Sequence, residues 1–576
     1  MKNVKNLFGM AVMATALVGC SSNDNLNPNP NEGAGKAGEA YASFKINLPT
    51  VSGTRADDDP KPSTPDLVHG DPAEYEVKNG TILIFDANTD KFVESAELGT
   101  MNPWTAEKDP NGVTTAAAVT VKLSKVALDG HYKALVLLNN NSGTTTPKVK
   151  LPTSSTSSTT TTDTYTSWSA KADNANATEY VKTDGIFMAN APKYEKATED
   201  PTTLVDIHLY ASREQAQANS ATVVYVERGL AKVTMENFDP SGYTIAGNTY
   251  AGDKVKIKTW QLDVTNKTTF PIHQANLKSG WIDIWNTPRF YDTKTTSAFK
   301  RVYWGTDPNY SGTDNQTLAE CKNAFNMIGN GDVKGLPGTP QYCLENTFDL
   351  DNMMQGQTTR VVFKAVYTPK TFTSGETFYK VANNTAVWKG DALAKQIKTL
   401  AINAMKITDP TEQAKYSVDL SKGSNISGVA GQHLIQKANI TYSGTPADSK
   451  VDDNVVNEVN AKLGLSEADP TKHKEKVGIS TYLNGEAYYI ARIKHFNELT
   501  PWTAGTAYNG DNNAFLGRYG VLRNNWYSLS VHSISNLGYP EVPEVKPETP
   551  DDENDQYINV EVKILDWAKR SQSIDL

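Results

Sequence analysis

Cysteine is almost missing from this chain: three residues in 576, at Cys20, Cys321 and Cys343. So few cannot build a disulfide scaffold. With no CxxC pair and no nearby histidine pair, Cys321 and Cys343 do not read as a zinc site either. In an exported chain they form one disulfide or stay two buried thiols. Histidine is also sparse, eight residues with no HExxH or HxH spacing, and GxSxG, a strand-borne GxGxxG and GxxxxGK[ST] do not occur. No enzyme, cofactor or metal is expected. There is no Lys/Arg block to outweigh the net charge of −9, so neither DNA nor RNA is an expected partner. Beyond residue 20 no long apolar run occurs, and no transmembrane helix is expected.

What is present begins with a targeting segment. Lys2 and Lys5 precede an apolar stretch, Leu7 to Val18, too short to span a membrane stably. Leu17-Val18-Gly19-Cys20 resembles a bacterial lipobox, which implies lipidation of Cys20 after cleavage and an acyl anchor on a membrane. The polar run Ser21 to Lys36 reads as a tether without structure of its own.

A length of 576 residues exceeds one core and suggests two or three domains at about 100 to 200 residues each. Runs of Thr, Asn and Ser favour β-structure with long loops. Strand-like stretches are Thr81 to Phe85, Ala117 to Leu123 and His131 to Leu138, then Thr222 to Val233 in two halves around Glu227, Arg228 and Gly229. A domain boundary is expected just after these, and the second half opens on the alternating DKVKIKTWQLDV and continues with Thr358 to Tyr367. Thr153 to Ser169 reads as a surface loop. Asp391 to Ala404 and Asn454 to Leu465 are the helix candidates.

The two ends look equivalent. Near the front, Phe44, Ile46 and Leu48 alternate with Ser43, Lys45 and Asn47, the period of a half-buried strand. At the back, Ile558, Val560, Val562 and Ile564 alternate with Asn559, Glu561 and Lys563. Between the front strand and the body lies VSGTRADDDPKPSTP, where Arg55 sits in the kind of Gly- and Pro-flanked loop that proteases reach. Before the back strand, Pro540, Pro543, Pro547 and Pro550 alternate with seven carboxylates, which predicts an extended, solvated arm. An unpaired apolar strand must be covered. Cleavage after Arg55 would free a slot that the tail of another copy could fill. Equally, both strands could belong to the sheets of one monomer.

Several motifs together resemble the fimbrillins of Bacteroidales: the lipobox, Arg55, YVERGLAKV, YCLENT (Tyr342 to Thr347), EAYYIAR (Glu486 to Arg492), YGVLRNNWY (Tyr519 to Tyr527) and the closing INVEVKILDW. The likeness runs end to end and is closest to the major subunit of the minor fimbria (Mfa1 type), with FimA-type fimbrillins more distant. The resemblance implies an all-β fold of two transthyretin-like β-sandwich domains with long loops, few short helices and a C-terminal donor strand. It implies a signal peptide over 1–20, a propeptide over 21–55, sandwiches over 56–235 and 236–540, and a linker with donor strand over 541–576. It implies cleavage between Arg55 and Ala56 by an arginine-specific protease, displacement of Phe44, Ile46 and Leu48, and donation of Ile558, Val560, Val562, Ile564 and Trp567 to a neighbour. The implied partners are other copies of the chain, anchor and tip subunits, and a host or bacterial receptor; the precursor would be held in the outer membrane by its lipid. A free donor tail favours a polymerising stalk subunit. A tip subunit and a monomeric glycan-binding lipoprotein remain the alternatives.

Other candidates for chemistry carry less. Asp349 and Asp351, or Asp452 and Asp453, read as solvated loop charges before glycosidase carboxylates, and Asp57 to Asp59 as an acidic flank of the cut site before a calcium site. Trp260, Trp281, Trp285, Trp304, Trp502 and Trp526 read as core or rim packing before a sugar platform. Arg523, Asn524 and Asn525 are expected to make a turn with local hydrogen bonds.

Overall fold

Alternation in the sequence becomes strands, and the strands stack into several sheets. The computed structural model describes residues 39–48, 74, 76–99, 105–109, 112–140, 147–154, 161–172, 177–182, 185–193, 201–275, 302, 304–310, 317–422, 431–467, 477–495, 519–551 and 558–566. The fold is all-β with a few helices, as the sequence predicts.

The first sheet contains β1 (Ala40–Leu48), β2 (Gly80–Asp86), β3 (Phe92–Glu97), β4 (Thr105–Asp109), β5 (Gly112–Leu123), β6 (Tyr132–Leu138), β7 (Met188–Asn190) and β8 (Thr222–Arg228), in the order β3-β2-β6-β7-β8-β1-β5-β4. A two-residue strand, Val205–Asp206, adds to β6. The continuous apolar runs of β2 and β6 exist because this sheet is covered on both faces. Ile82, Ile84 and Val136 pack with Phe44 and Val224 on one side. Leu83, Phe85, Leu135 and Leu137 pack with Trp168 and Phe187 on the other. Trp168 corrects one expectation: the Ser/Thr-rich stretch ends not as loop but as a short helix, Tyr165–Ser169, because Thr164 caps it and Trp168 is an apolar anchor.

The chain leaves the first sheet at Gly229 and Leu230. A Cβ on Gly229 would stand 2.9 Å from the Phe187 ring, so this crossing tolerates only glycine. Beyond it, β9 (Ala231–Met235) joins a second sheet, and β10 (Lys254–Asp263) a third. These two sheets are completed by β11 (Gln341–Cys343), β12 (Arg360–Thr368), β13 (Glu486–Arg492), β14 (Asn525–Ile534) and β15 (Ile558–Asp566). The second sheet runs β11-β9-β14-β15, and the third runs β10-β12-β13 with Tyr243–Thr244 at the β10 edge. Val233, Met235, Tyr527 and Leu529 from one meet Trp260, Phe363, Ala365 and Tyr489 from the other in a shared core, which makes this half a sandwich.

Neighbouring strands β12 and β13 are joined by a long excursion with its own apolar cluster. It holds both predicted helices, α1 (Gly390–Ala404) and α2 (Asp453–Lys462), each with one buried stripe: Leu393, Ile397 and Ala401 on α1, Val455, Val456 and Val459 on α2. Asp452 caps α2 by accepting from the Val455 N–H at 2.9 Å. Among the described residues no helix is long and apolar enough to cross a membrane.

Candidate functional site: the front-strand slot and the tail

β1 lies between two partners. It is antiparallel to β5 from Ala40↔Leu123 to Leu48↔Thr115, and parallel to β8 from Phe44↔Thr222 to Asn47↔Tyr225. Its inward residues Ala40, Ala42, Phe44, Ile46 and Leu48 are almost wholly buried and complete the first core. The predicted alternation is therefore present, but the outward face is more covered than a half-buried strand implies: Ser43 and Asn47 are buried too, and only Lys45 is exposed. The short helix Arg213–Ala218 accounts for part of this. Its Arg213 stands 5.8 Å over the Tyr41 ring and donates from Nη1 to the Thr120 carbonyl at 3.3 Å. Tyr41 exchanges both backbone hydrogen bonds with Tyr210, at 2.8 and 2.9 Å. Ser43 Oγ lies 2.9 Å from Thr120 Oγ1, and Lys122 Nζ 3.0 Å from Glu39 Oε2. Burying Phe44, Ile46 and Leu48 at about 1.5 to 3 kcal/mol each makes β1 worth roughly 5 to 9 kcal/mol to that core.

The tail is not loose. β15 pairs antiparallel with β14 over its whole length, Ile558 opposite Ile534, Val560 opposite Val531, Val562 opposite Leu529 and Ile564 opposite Tyr527. A strand with an apolar face finds the open edge of its own second sheet. Nor does the preceding segment behave as a solvated arm. Val542, Val545 and Asp551 are buried, the Val542 N–H donates to Asn330 Oδ1 at 2.7 Å, Arg360 Nη2 donates to the Pro543 carbonyl at 2.7 Å, and Thr358 Oγ1 bonds Asp551 Oδ2 at 3.2 Å. The valines between the prolines supply apolar contacts that outweigh the carboxylates' preference for water. The linker expected over 541–576 is thus packed at least to residue 551.

Cys20, Arg55, Ala56 and Trp567, with Asp57 to Asp59, Trp281, Trp285 and Trp502, lie outside the described residues. Cys321 and Cys343 are buried in separate apolar clusters and are not joined by a disulfide, the second of the two states the sequence left open. Burial pushes their pKa values up, to about 11 and about 12, so both are poor nucleophiles. Asp349 and Asp452 act as helix caps. Trp260 and Trp304 are buried, and Trp526 Nε1 donates to Thr234 Oγ1 at 2.7 Å, so these three are packing residues.

Sequence reasoning missed a buried polar junction where YVERGLAKV, YCLENT and VLRNNWY converge. Glu74, in the stretch between the predicted cut site and β2, pairs with Lys232 Nζ at 2.5 Å and accepts from the Tyr342 hydroxyl at 2.8 Å. Arg228 donates from Nε to the Glu74 carbonyl at 2.9 Å and from Nη1 to Asn524 Oδ1 at 3.2 Å. Arg523 pairs with Glu345 at 2.9 Å and donates to the Phe270 and Pro271 carbonyls, so it does far more than close a local turn. Burial works against its charge, and Glu345 and Glu227 more than offset that and raise its pKa. His273 Nδ1 meets Glu227 Oε1 at 2.7 Å in the same region. Only the alternation of charged and apolar letters in those three motifs hinted at such pairing.

A family likeness falls on the end of this second half of the chain. Residues 480–573 match a fimbrillin family model. It is described as major fimbrial subunit protein type IV, fimbrillin, C-terminal, and the match runs from β13 through β14 and the packed connector into β15. Among solved structures, this chain overlaps a cell adhesion protein of Parabacteroides distasonis ATCC 8503 at 12% identity and TM-score 0.37, covering 92% of this chain and 99% of that one. A fimbrial assembly protein of the same organism overlaps at 11% and 0.27, over 61% and 94% of the two chains. The tip fimbrial protein Mfa3 of Porphyromonas gingivalis, C-terminally truncated, overlaps at 10% and 0.21, over 92% and 100%. Among proteins of curated function, none matches the chain.

Proposed function

We propose that this chain is a structural, non-catalytic subunit of a cell-surface fimbria, exported as a lipoprotein through Cys20, matured after Arg55 and polymerised by strand exchange into a stalk. One observation carries the reading: β1, the strand that cleavage would release, fills a two-sided slot in a finished core, between a parallel and an antiparallel neighbour. Loss of such a strand leaves two rows of unpaired backbone groups and an apolar trough that a soluble protein must refill. β15 is the matching donor, since it has the same nine-residue length and, among the described residues, a single strand partner. The fimbrillin match over residues 480–573 supports the assignment to a fimbria.

In this reading the front unit ends at the Gly229 crossing, not at residue 235 as expected, because Ala231–Met235 pairs within the back sheets and packs in their core, and adhesion follows from display of the polymer. An arginine-specific protease, anchor and tip subunits, and a surface receptor complete the partners. The rival reading, a monomeric glycan-binding lipoprotein, draws on the tail's seat beside β14; a tip subunit would keep the slot and lack onward donation. Trypsin-type trimming followed by electrophoresis without boiling separates them. The stalk reading expects a ladder of oligomers that disappears when residues 557–576 are deleted while the monomer stays folded. No ladder after complete trimming would sink it.

A further inference from the structure

Resting on the strand-exchange reading, we propose a register for the exchange: an incoming tail lies in the slot with Tyr557 where Tyr41 stood, and Lys122 and Arg213 at the slot's mouth read its Asp555 and Tyr557. The leader's EAYASFKINL, Glu39 to Leu48, then overlays the tail's DQYINVEVKI, Asp555 to Ile564. Acid falls on acid, tyrosine on tyrosine, and Asn559 takes the place of Ser43 against Thr120.

Removal of the leader takes Glu39 from Lys122 and the Tyr41 ring from beneath Arg213, which leaves two cations at one end of the trough. Asp555 and Tyr557 return the same two groups in the same order. Along the trough, Ile558, Val560, Val562 and Ile564 take the places of Ala42, Phe44, Ile46 and Leu48, so a bulkier residue at the first compensates a smaller one at the second. Outward, Glu561 replaces the exposed Lys45, and Lys563 replaces Asn47 with a stem long enough to carry its charge to water.

Other registers fit worse. An odd shift turns every apolar residue outward. Moving the tail two residues along brings Asp566 to the buried place of Leu48 and Ile558 to that of Ala40, a carboxylate without a partner and an overpacked wall. Moving it two the other way brings Gln556 and Asn554 to the buried places of Ala42 and Ala40. The chosen register has one polar misfit, Gln556 at Ala40.

Cysteine pairs across copies test it. Matured full-length chains carrying Thr120→Cys are mixed with chains carrying Asn559→Cys, or in parallel Glu561→Cys, and oxidised; the native thiols are buried. Cross-linking of 120 to 559 at least tenfold above 120 to 561 is the expected result. Preference for 561 overturns the register and leaves strand exchange standing. A non-covalent ladder with neither cross-link overturns both, as does the lack of any ladder from unsubstituted chains. Lys122→Glu and Asp555→Lys should each slow ladder growth about three- to tenfold at low salt, and together restore it; two slow variants without rescue would remove the cationic mouth from the proposal.

Discussion

At the scale of single residues the molecule invests most in charges it has taken out of water. Glu74 and Lys232 are both buried, and removing one partner of such a pair costs on the order of 3 to 5 kcal/mol because the other charge is stranded. That cost fixes Glu74, which lies beyond the predicted cut site, to Lys232 just after the Gly229 crossing. Asp307 shows the weight of burial through pH. Its carboxylate accepts from the Thr347 and Asn309 N–H groups, both at 2.6 Å, yet burial first, with nearby Glu345 adding to it, pushes its pKa up to about 7. A carboxyl with a raised folded-state pKa holds a proton that the unfolded chain has lost. Its contribution is therefore complete below the unfolded value of 3.8 and is lost as pH rises toward about 7, at up to about 1.4 kcal/mol per pH unit. Urea unfolding of wild type and Asp307→Asn across pH 4 to 8 should show that slope in their difference. Asn forfeits one acceptor at every pH, so a constant offset with no slope would mean that Asp307 is ionised throughout.

At the scale of elements, β1 should behave as a removable part of a finished core. Phe44→Ala in the uncut chain should lower stability by about 3 to 5 kcal/mol, read by denaturant unfolding. After complete trimming at Arg55, wild type and variant should be indistinguishable, because the substituted residue has left with the leader; a persisting difference would show that the strand stays behind. Strands of this kind were legible because alternation or a continuous apolar run reports burial directly: β2, β6, β10 and β12 all stand where the pattern put them, as do α1 and α2. The packed connector was not legible. Four prolines and seven carboxylates dominate its composition, whereas its structure is set by two valines and by the hydrogen bonds of Val542, the Pro543 carbonyl and Asp551 to Asn330, Arg360 and Thr358, nearly two hundred residues or more away in sequence. The polar junction escaped for the same reason. Charged letters announce solvent until their partners are known, and Glu74, Lys232, Glu345 and Arg523 come from four distant segments. The alternation of the tail announces a strand but not its pairing edge, since β14 is created only by the fold.

At the scale of the whole molecule, the packed connector limits how far one copy can reach into another. If residues through Asp551 stay docked and Asp555 lies at the neighbour's slot, only 552–554 separate the anchor from the inserted segment, and three extended residues span at most about 11 Å. Peeling the connector would lengthen the arm but expose Val542 and Val545, at about 1.5 to 3 kcal/mol each, and break the Arg360 and Asp551 hydrogen bonds. Vacating β14 already costs the tail its own seat, so the docked arrangement is the cheaper route and successive subunits must sit in direct contact. The Gln355 N–H donates to the Thr549 carbonyl at 2.8 Å, which brings these two backbones close enough for a disulfide between Gln355→Cys and Thr549→Cys to hold the connector down. The oxidised double variant, trimmed and run unboiled, should still form its ladder. Deleting residues 552–554, which leaves Asp555 and Tyr557 in place, should abolish the ladder and leave the monomer folded, since about 10 Å of reach is then gone. A ladder lost on oxidation and regained on reduction would instead mean that the connector must peel away for one copy to join the next.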